Sequence, residues 1–163
     1  MCRYCKKPKN SKLPVEKEFS IHFSNECIQV SKLSISDHPE VIRISEQHLV
    51  KLFLGKLPAS SFEKPFEFLV AKKEGKVVGW IRYLRKKDSY TDIMVAVDEN
   101  YYRIGIGRRL VSYIINSAED EGITNLTCEI EYDNKGSLRL FEGLGFRKIS
   151  MEKEFYKLTF SCT

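Results

Sequence analysis

Residues 93 to 109 constrain this chain more than any other stretch. Ile93-Met94-Val95-Ala96-Val97 is a short apolar run and reads as a buried strand. A polar turn follows, then two glycines one residue apart, Gly105 and Gly107. Beyond them Ile106, Leu110, Val111, Ile114, Ile115 and Ala118 recur at helical spacing. A strand, a glycine turn and a helix leave several N–H groups at a helix N-terminus with no Cβ in the way. The positive end of the helix dipole favours a phosphate there. Arg103, Arg108 and Arg109 sit at the same end, where cations oppose the dipole, so an anionic guest is expected. The spacing is not that of a dinucleotide fingerprint, because Leu110 occupies the third glycine position.

The rest of the chain arranges itself around this unit. Residues 28–33 alternate and read as a first strand. Ser36-Asp37-His38-Pro39 reads as a helix start, with Val41, Ile42, Leu49, Leu52 and Phe53 as its apolar stripe and Gly55 and Pro58 as its stop. His48 falls inside that helix and is assigned no role. Residues 66–72 and 77–84 form a hairpin around Lys73-Glu74-Gly75-Lys76, and a turn at residues 86–89 leads to the strand ending at Val97. Trp80 and Tyr83 either line a binding site or pack the core. Gly122 closes the helix after the glycine turn. Residues 125–132 alternate, with Leu126, Cys128 and Ile130 on one face and Thr127, Glu129 and Glu131 on the other. A short helix follows Asn134, and a hairpin over residues 146–160 turns near residues 151–154.

Two stretches together carry a resemblance. Residues 97 to 110 resemble motif A of the GCN5-related N-acetyltransferases (GNAT), whose loop reads Arg/Gln-x-x-Gly-x-Gly/Ala. Asn134-Lys135-Gly136-Ser137-Leu138-Arg139-Leu140-Phe141-Glu142-Gly143-Leu144-Gly145-Phe146 is similar to motif B, an asparagine, a short helix and a closing Leu-Gly-Phe. The likeness covers roughly residues 28 to 160 and implies an α/β fold (an α+β mixed sheet) of the acyl-CoA N-acyltransferase kind. It implies acetyl-CoA as cosubstrate and an amine, on a small molecule or a protein, as acceptor. It further implies that the loop of Arg103, Ile104, Gly105, Ile106, Gly107 and Arg108 holds the pyrophosphate. Val95, Ala96 and Val97 would offer backbone groups to the pantetheine where their strand splays from its neighbour, one N–H polarising the thioester. Asn134 matches the family's cofactor-contacting asparagine. The sequence departs from the pattern twice. Tyr102 holds the Arg/Gln position with Arg103 after it, and Phe141 stands where many members carry a tyrosine that protonates the departing thiolate.

Acetyl transfer to an amine needs a base, and Glu129 is favoured, with Glu131 as fallback. The candidates for acid are Tyr132, Ser137 or a water. A competing reading is a non-catalytic CoA-binding or nucleic-acid-binding module anchored by a basic N-terminus.

The chain has 163 residues, enough for one core domain and a small appendage. Residues 1–27 read as a basic extension and residues 28–163 as the acetyltransferase-like domain. Cys2-x-x-Cys5 and His22-x-x-x-x-Cys27 make a plausible tetrahedral set for one structural zinc ion. The surroundings of Cys2 and Cys5 look like a zinc knuckle. The alternative is an unordered basic tail with Cys27 buried. The net charge of +5 permits CoA or nucleic acid without demanding either. No apolar run approaches the ~20 residues that span a bilayer, and the N-terminus lacks a signal-peptide core, so a reducing cytoplasm and no membrane partner are expected.

Overall fold

The computed structural model describes residues 19–23, 26–48, 62 and 66–162, the first of these up to residue 27 by their backbone alone. Eight strands form one mixed sheet in the order β1-β2-β3-β4-β5-β6-β8-β7. They are β1 (Phe19–Phe23), β2 (Glu26–Lys32), β3 (Phe66–Lys73), β4 (Lys76–Arg85), β5 (Ser89–Val97), β6 (Asn125–Glu131), β7 (Arg147–Glu152) and β8 (Phe155–Ser161). Every pairing is antiparallel except β5 with β6. The sheet starts earlier than the alternation at Ile28 indicates. β2 begins at Glu26 and β1 pairs with it at the edge, inside the segment read as an extension.

Helix α2 (Ile106–Asp120) buries Ile106, Leu110, Val111, Ile114, Ile115 and Ala118, the same six positions that its periodicity marks. Each of the five larger side chains contributes about 1.5–3 kcal/mol by leaving water, so burial rather than helix propensity holds this element. Helix α3 (Lys135–Glu142) adds Leu138 and Phe141 to the same core against Tyr83, Tyr90, Leu126, Cys128 and Leu158. Helix α1 (His38–His48) lies on a second core cluster, with Val41 and Ile44 against Phe68, Val70, Trp80 and Ala96. Its buried face is Val41, Ile44 and Ser45. Ile42, expected in the stripe, is only partly buried, while Ile44 takes the core position three residues after Val41. Leu49, Leu52, Phe53, Gly55 and Pro58 lie outside the described residues.

The turns follow from backbone chemistry. Glu74 and Gly75 both have positive φ between the paired Lys73 and Lys76, which is the twist a two-residue hairpin needs. Gly122 (φ +71) ends α2, with the Ile123 N–H reaching back to the Ala118 carbonyl. Trp80 is fully buried and Tyr83 donates to Glu67 Oε2 at 3.0 Å, so both pack the interior. Among the described residues no helix is long and apolar enough to cross a membrane.

Candidate active site

The sheet opens between β5 and β6. These strands pair only at Ser89 with Asn125 and at Tyr90 with Leu126, and then part. Asp92 explains the parting. It has a left-handed backbone (φ +52), and the β4–β5 register slips between Arg82 and Leu84, so β5 carries a bulge that bends it away from β6. Beyond the bulge the amides alternate in direction. Asp98 N–H donates to Val78 O at 2.9 Å, so Ala96, two residues earlier, also turns its peptide groups toward β4. Val95 turns its own into the gap and Val97 its N–H, while the Val97 carbonyl is taken by His48 Nε2 at 2.8 Å. Of the three strand residues assigned to the cofactor, Ala96 is the one whose backbone faces away, and its side chain is buried on the α1 side.

The glycine turn sits at the mouth of this gap. Gly105 (φ +90) is the N-cap of α2, with no side-chain cap and no acidic residue in the first turn. Arg109 N–H is the donor to the Gly105 carbonyl. The N–H groups of Ile106, Gly107 and Arg108 precede that bond and point out of the helix end. Gly79 lets the turn lie close to the sheet, since a Cβ there would stand 3.1 Å from Ile106 Cγ2. A Cβ on Gly107 would stand 3.4 Å from Leu140 and 3.5 Å from Val97, so the first turn of α2 rests on β5 and α3. Arg103 and Ile104 are exposed, and Arg103 has positive φ (+64).

The Arg108 side chain turns to α3. Its Nη2 donates to the Gly143 carbonyl at 3.2 Å, at the C-terminal end of α3, so its side chain serves that helix end. Its backbone N–H stays in the anion cradle. Asn134 is the N-cap of α3, its Oδ1 accepting from Ser137 N–H at 3.1 Å, and it is exposed.

A polar cleft of about 170 Å³ lies at the fork of the two strands. Thr91 and Asp92 line it from β5, Thr127, Cys128 and Glu129 from β6, with Lys86 and Lys157 beside them. Glu129 is exposed there and stands opposite Lys157 in the β6–β8 register. Glu131 shares its face and is half-buried. Tyr132 is exposed just past β6, its N–H bonded to the Glu154 carbonyl at 2.9 Å. Phe141 is buried, edge-on to Phe146 with ring centroids 5.0 Å apart. Burial, and then the Glu129 carboxylate, push the Cys128 thiol up to about 12, which leaves it protonated and inert.

Three residues matter here that the sequence did not single out. Asp92 makes the bulge, and nothing in the sequence marks it. Asp98 Oδ1 accepts from Asn100 N–H at 2.9 Å, and its Oδ2 accepts from Arg43 Nη2 at 2.6 Å. Burial raises its carboxyl, but the Asn100 and Arg43 bonds outweigh that and hold it below the ordinary value. His48 places Nε2 2.8 Å from the Val97 carbonyl and meets the Tyr102 hydroxyl. His22 and Cys27 are register partners across β1 and β2, while Cys2 and Cys5 lie outside the described residues. No group of potential metal ligands occurs among the described residues.

A mixed sheet that forks beside a glycine-opened helix N-terminus is the kind of scaffold that the sequence resemblance implies. The family model for the Acetyltransferase (GNAT) family matches residues 29–146, and the chain belongs to that family. Over 130 residues it is 26% identical to the [ribosomal protein bS18]-alanine N-acetyltransferase of Escherichia coli (strain K12), covering 80% of this chain and 88% of that one. The crystal structure of the Escherichia coli ribosomal-protein-S18-alanine N-acetyltransferase superposes with a TM-score of 0.72 at 22% identity, covering 83% of this chain and 94% of that chain. The Thermoplasma acidophilum PaiA N-acetyltransferase, solved in complex with coenzyme A, superposes with a TM-score of 0.70 at 15% identity, covering 82% and 98%. Membership makes this chain an N-acetyltransferase, moving an acetyl group to an amine.

Proposed function

We propose that the chain binds acetyl-CoA in the β5–β6 fork and transfers the acetyl group directly to a primary amine in a ternary complex. The observation that carries this reading is the fork itself, two residue pairs and then an opening edged by the peptide groups of Val95 and the N–H of Val97. The N–H groups of Ile106, Gly107 and Arg108 cradle the pyrophosphate, with Arg103 and Asn134 at the rim. Glu129 takes the proton from the incoming ammonium. The amine nitrogen then forms a bond to the thioester carbon, and an N–H aimed into the gap stabilises the oxyanion. The carbon–sulfur bond breaks as the carbonyl re-forms. The thiolate takes a proton from Tyr132 or water, the nitrogen returns its second proton to the group that supplied it, and a thiolate leaves readily even before it is protonated.

The cleft favours a compact polar amine over a bulky aromatic one, because charged groups and threonines line it. A protein N-terminus with a small first residue is the first acceptor to test, since the relative quoted above is named as an alanine N-acetyltransferase of a ribosomal protein. Free-thiol release from acetyl-CoA would be followed with an Ala-initiated peptide and with its N-blocked, lysine-containing counterpart. Turnover of the first alone is expected. No thiol release with any amine, in protein that binds CoA, would favour a non-catalytic CoA-binding module.

We also keep two further expectations as proposals. A reducing, cytoplasmic setting fits Cys128 and Cys162, which are free thiols. One structural zinc would be held by Cys2, Cys5, His22 and Cys27, a soft closed donor set supported by the opposition of His22 and Cys27 in the register. Elemental analysis of the intact chain tests it, and metal-free folded protein would remove it. The nucleic-acid expectation rests on basic residues of the first 27, most of which lie outside the described residues.

A further inference from the structure

Helix α1 grips the point where β5 becomes the cofactor loop. The Val97–Asp98 peptide is held on both sides. Its N–H donates to Val78 O at 2.9 Å, and its carbonyl meets His48 Nε2 at 2.8 Å. A carbonyl oxygen can only accept, so Nε2 donates a proton to this bond. The Tyr102 hydroxyl lies against the same ring, 3.0 Å from Nδ1 and 3.1 Å from Nε2. Burial, followed by the carboxylates of Glu99 and Asp98, pushes the Tyr102 phenol up, so it keeps its proton for this bond. Between these two points the Asp98 carboxylate is tied to Arg43 of the same helix at 2.6 Å. One helix therefore holds both ends of residues 97–102, the segment from which the glycine turn departs.

Tyr102 occupies the position where the family pattern carries Arg or Gln. Its ring turns to α1, with the His48 and Tyr102 ring centroids 5.6 Å apart. The side chain, though exposed, thus reaches α1 and bears on the loop's placement.

We propose that His48 is a positioning residue for the cofactor, fixing the pyrophosphate loop from α1 through Val97 and Tyr102. This rests on the reading of the fork as the acetyl-CoA site. His48 is not placed at the reacting atoms, so its effect falls on cofactor affinity. Losing a hydrogen bond that orders a binding loop is worth about 1–1.5 kcal/mol, or roughly tenfold in affinity.

The test uses the intact chain, with calorimetry for CoA and steady-state thiol release from acetyl-CoA with the Ala-initiated peptide as acceptor. His48→Ala should raise the Kd for CoA and the KM for acetyl-CoA about tenfold, with turnover at saturating acetyl-CoA changed far less. His48→Gln should recover part of the loss, because an amide N–H can replace Nε2–H toward Val97. Tyr102→Phe should weaken binding several-fold, and the His48→Ala, Tyr102→Phe double variant should be no weaker than His48→Ala alone, roughly, since both remove one linked set of bonds. Unchanged CoA affinity in folded His48→Ala would overturn the proposal, as would strictly additive effects in the double variant. A loss of thermal stability with an unchanged KM would mark His48 as structural only and would also overturn it. Failure of the unsubstituted chain to bind CoA would instead refute the reading of the site.

Discussion

Arg108 donates through Nη2 to the carbonyl of Gly143 at 3.2 Å, and this single bond ties the first turn of α2 to the last turn of α3. The cation sits at the negative end of the α3 dipole, which offsets the unfavourable position it has at the start of α2. Both helices carry residues of the proposed cofactor site, so the bond also couples the glycine turn to α3.

Arg108→Ala is expected to lower unfolding stability by about 0.5–1.5 kcal/mol, the usual worth of such a bond. It should lower CoA affinity modestly, since the backbone N–H groups remain. Urea titration and calorimetry check the two effects. A large loss of affinity without loss of stability would show that the guanidinium swings to the phosphate instead.

Gly105 separates backbone strain from ligand repulsion. A Cβ there meets nothing within 4 Å, but its φ of +90 is unfavourable for any other residue. Gly105→Ala should cost about 1–2 kcal/mol of stability. Gly105→Asp should add repulsion and reduce CoA affinity by roughly tenfold or more beyond Gly105→Ala. Equal CoA affinity in the two variants, measured by calorimetry, would place the phosphate elsewhere.

Glu129→Gln should reduce turnover by ~10²–10⁴ at neutral pH with little change in acetyl-CoA affinity, the range for losing a general base. The deficit should shrink as pH rises and the amine deprotonates unaided. A variant with full turnover across the pH range would take Glu129 out of the mechanism.

The helical periodicity of residues 106 to 118 and the alternation of residues 125 to 131 were readable because each element buries one regular face. The glycine turn was readable because its backbone chemistry has few alternatives. What escaped depended on contacts between distant residues. The partner of the Arg108 guanidinium is set only when α3 arrives beside it. His48 looks incidental until α1 lands on the end of β5. Ala96 differs from Val95 only in which neighbour its amide faces, and that follows from pairing with β4. The bulge at Asp92 has no local mark at all, although the opening of the sheet depends on it.

Two carboxylates couple folding to acid. Asp98 with Arg43, and Asp37 with Lys72 at 2.8 Å, are held below their ordinary values; burial opposes this, and hydrogen bonds and cations outweigh it. A carboxyl whose folded value is depressed contributes stability that is present above the unfolded value, about 3.9, and lost as pH falls through the folded one. Urea midpoints should therefore hold from neutrality to about pH 4 on account of these groups and fall below it. Arg43→Met should flatten that fall, and an unchanged acid slope would rule out the Asp98 contribution.

Cys128 should resist alkylation in the folded chain at pH 8, because it is buried and its thiol is pushed up to about 12. Peptide mapping after brief iodoacetamide treatment, with and without urea, checks this. Rapid labelling of Cys128 without denaturant would mean that the fork opens far enough to expose its floor.

The joint between β5 and β6 also has a mechanical consequence. On the sheet it consists of two residue pairs, so the five strands on one side and the three on the other meet along a short hinge line, bridged by helices on one face. A guest lying along Val95 and Val97 would act as a ninth strand between the halves. Hydrogen exchange should then slow on both banks of the fork when CoA is added, β6 as well as β5, with the melting temperature rising as the ligand concentration passes its Kd. Filling the site and completing the sheet would be one event.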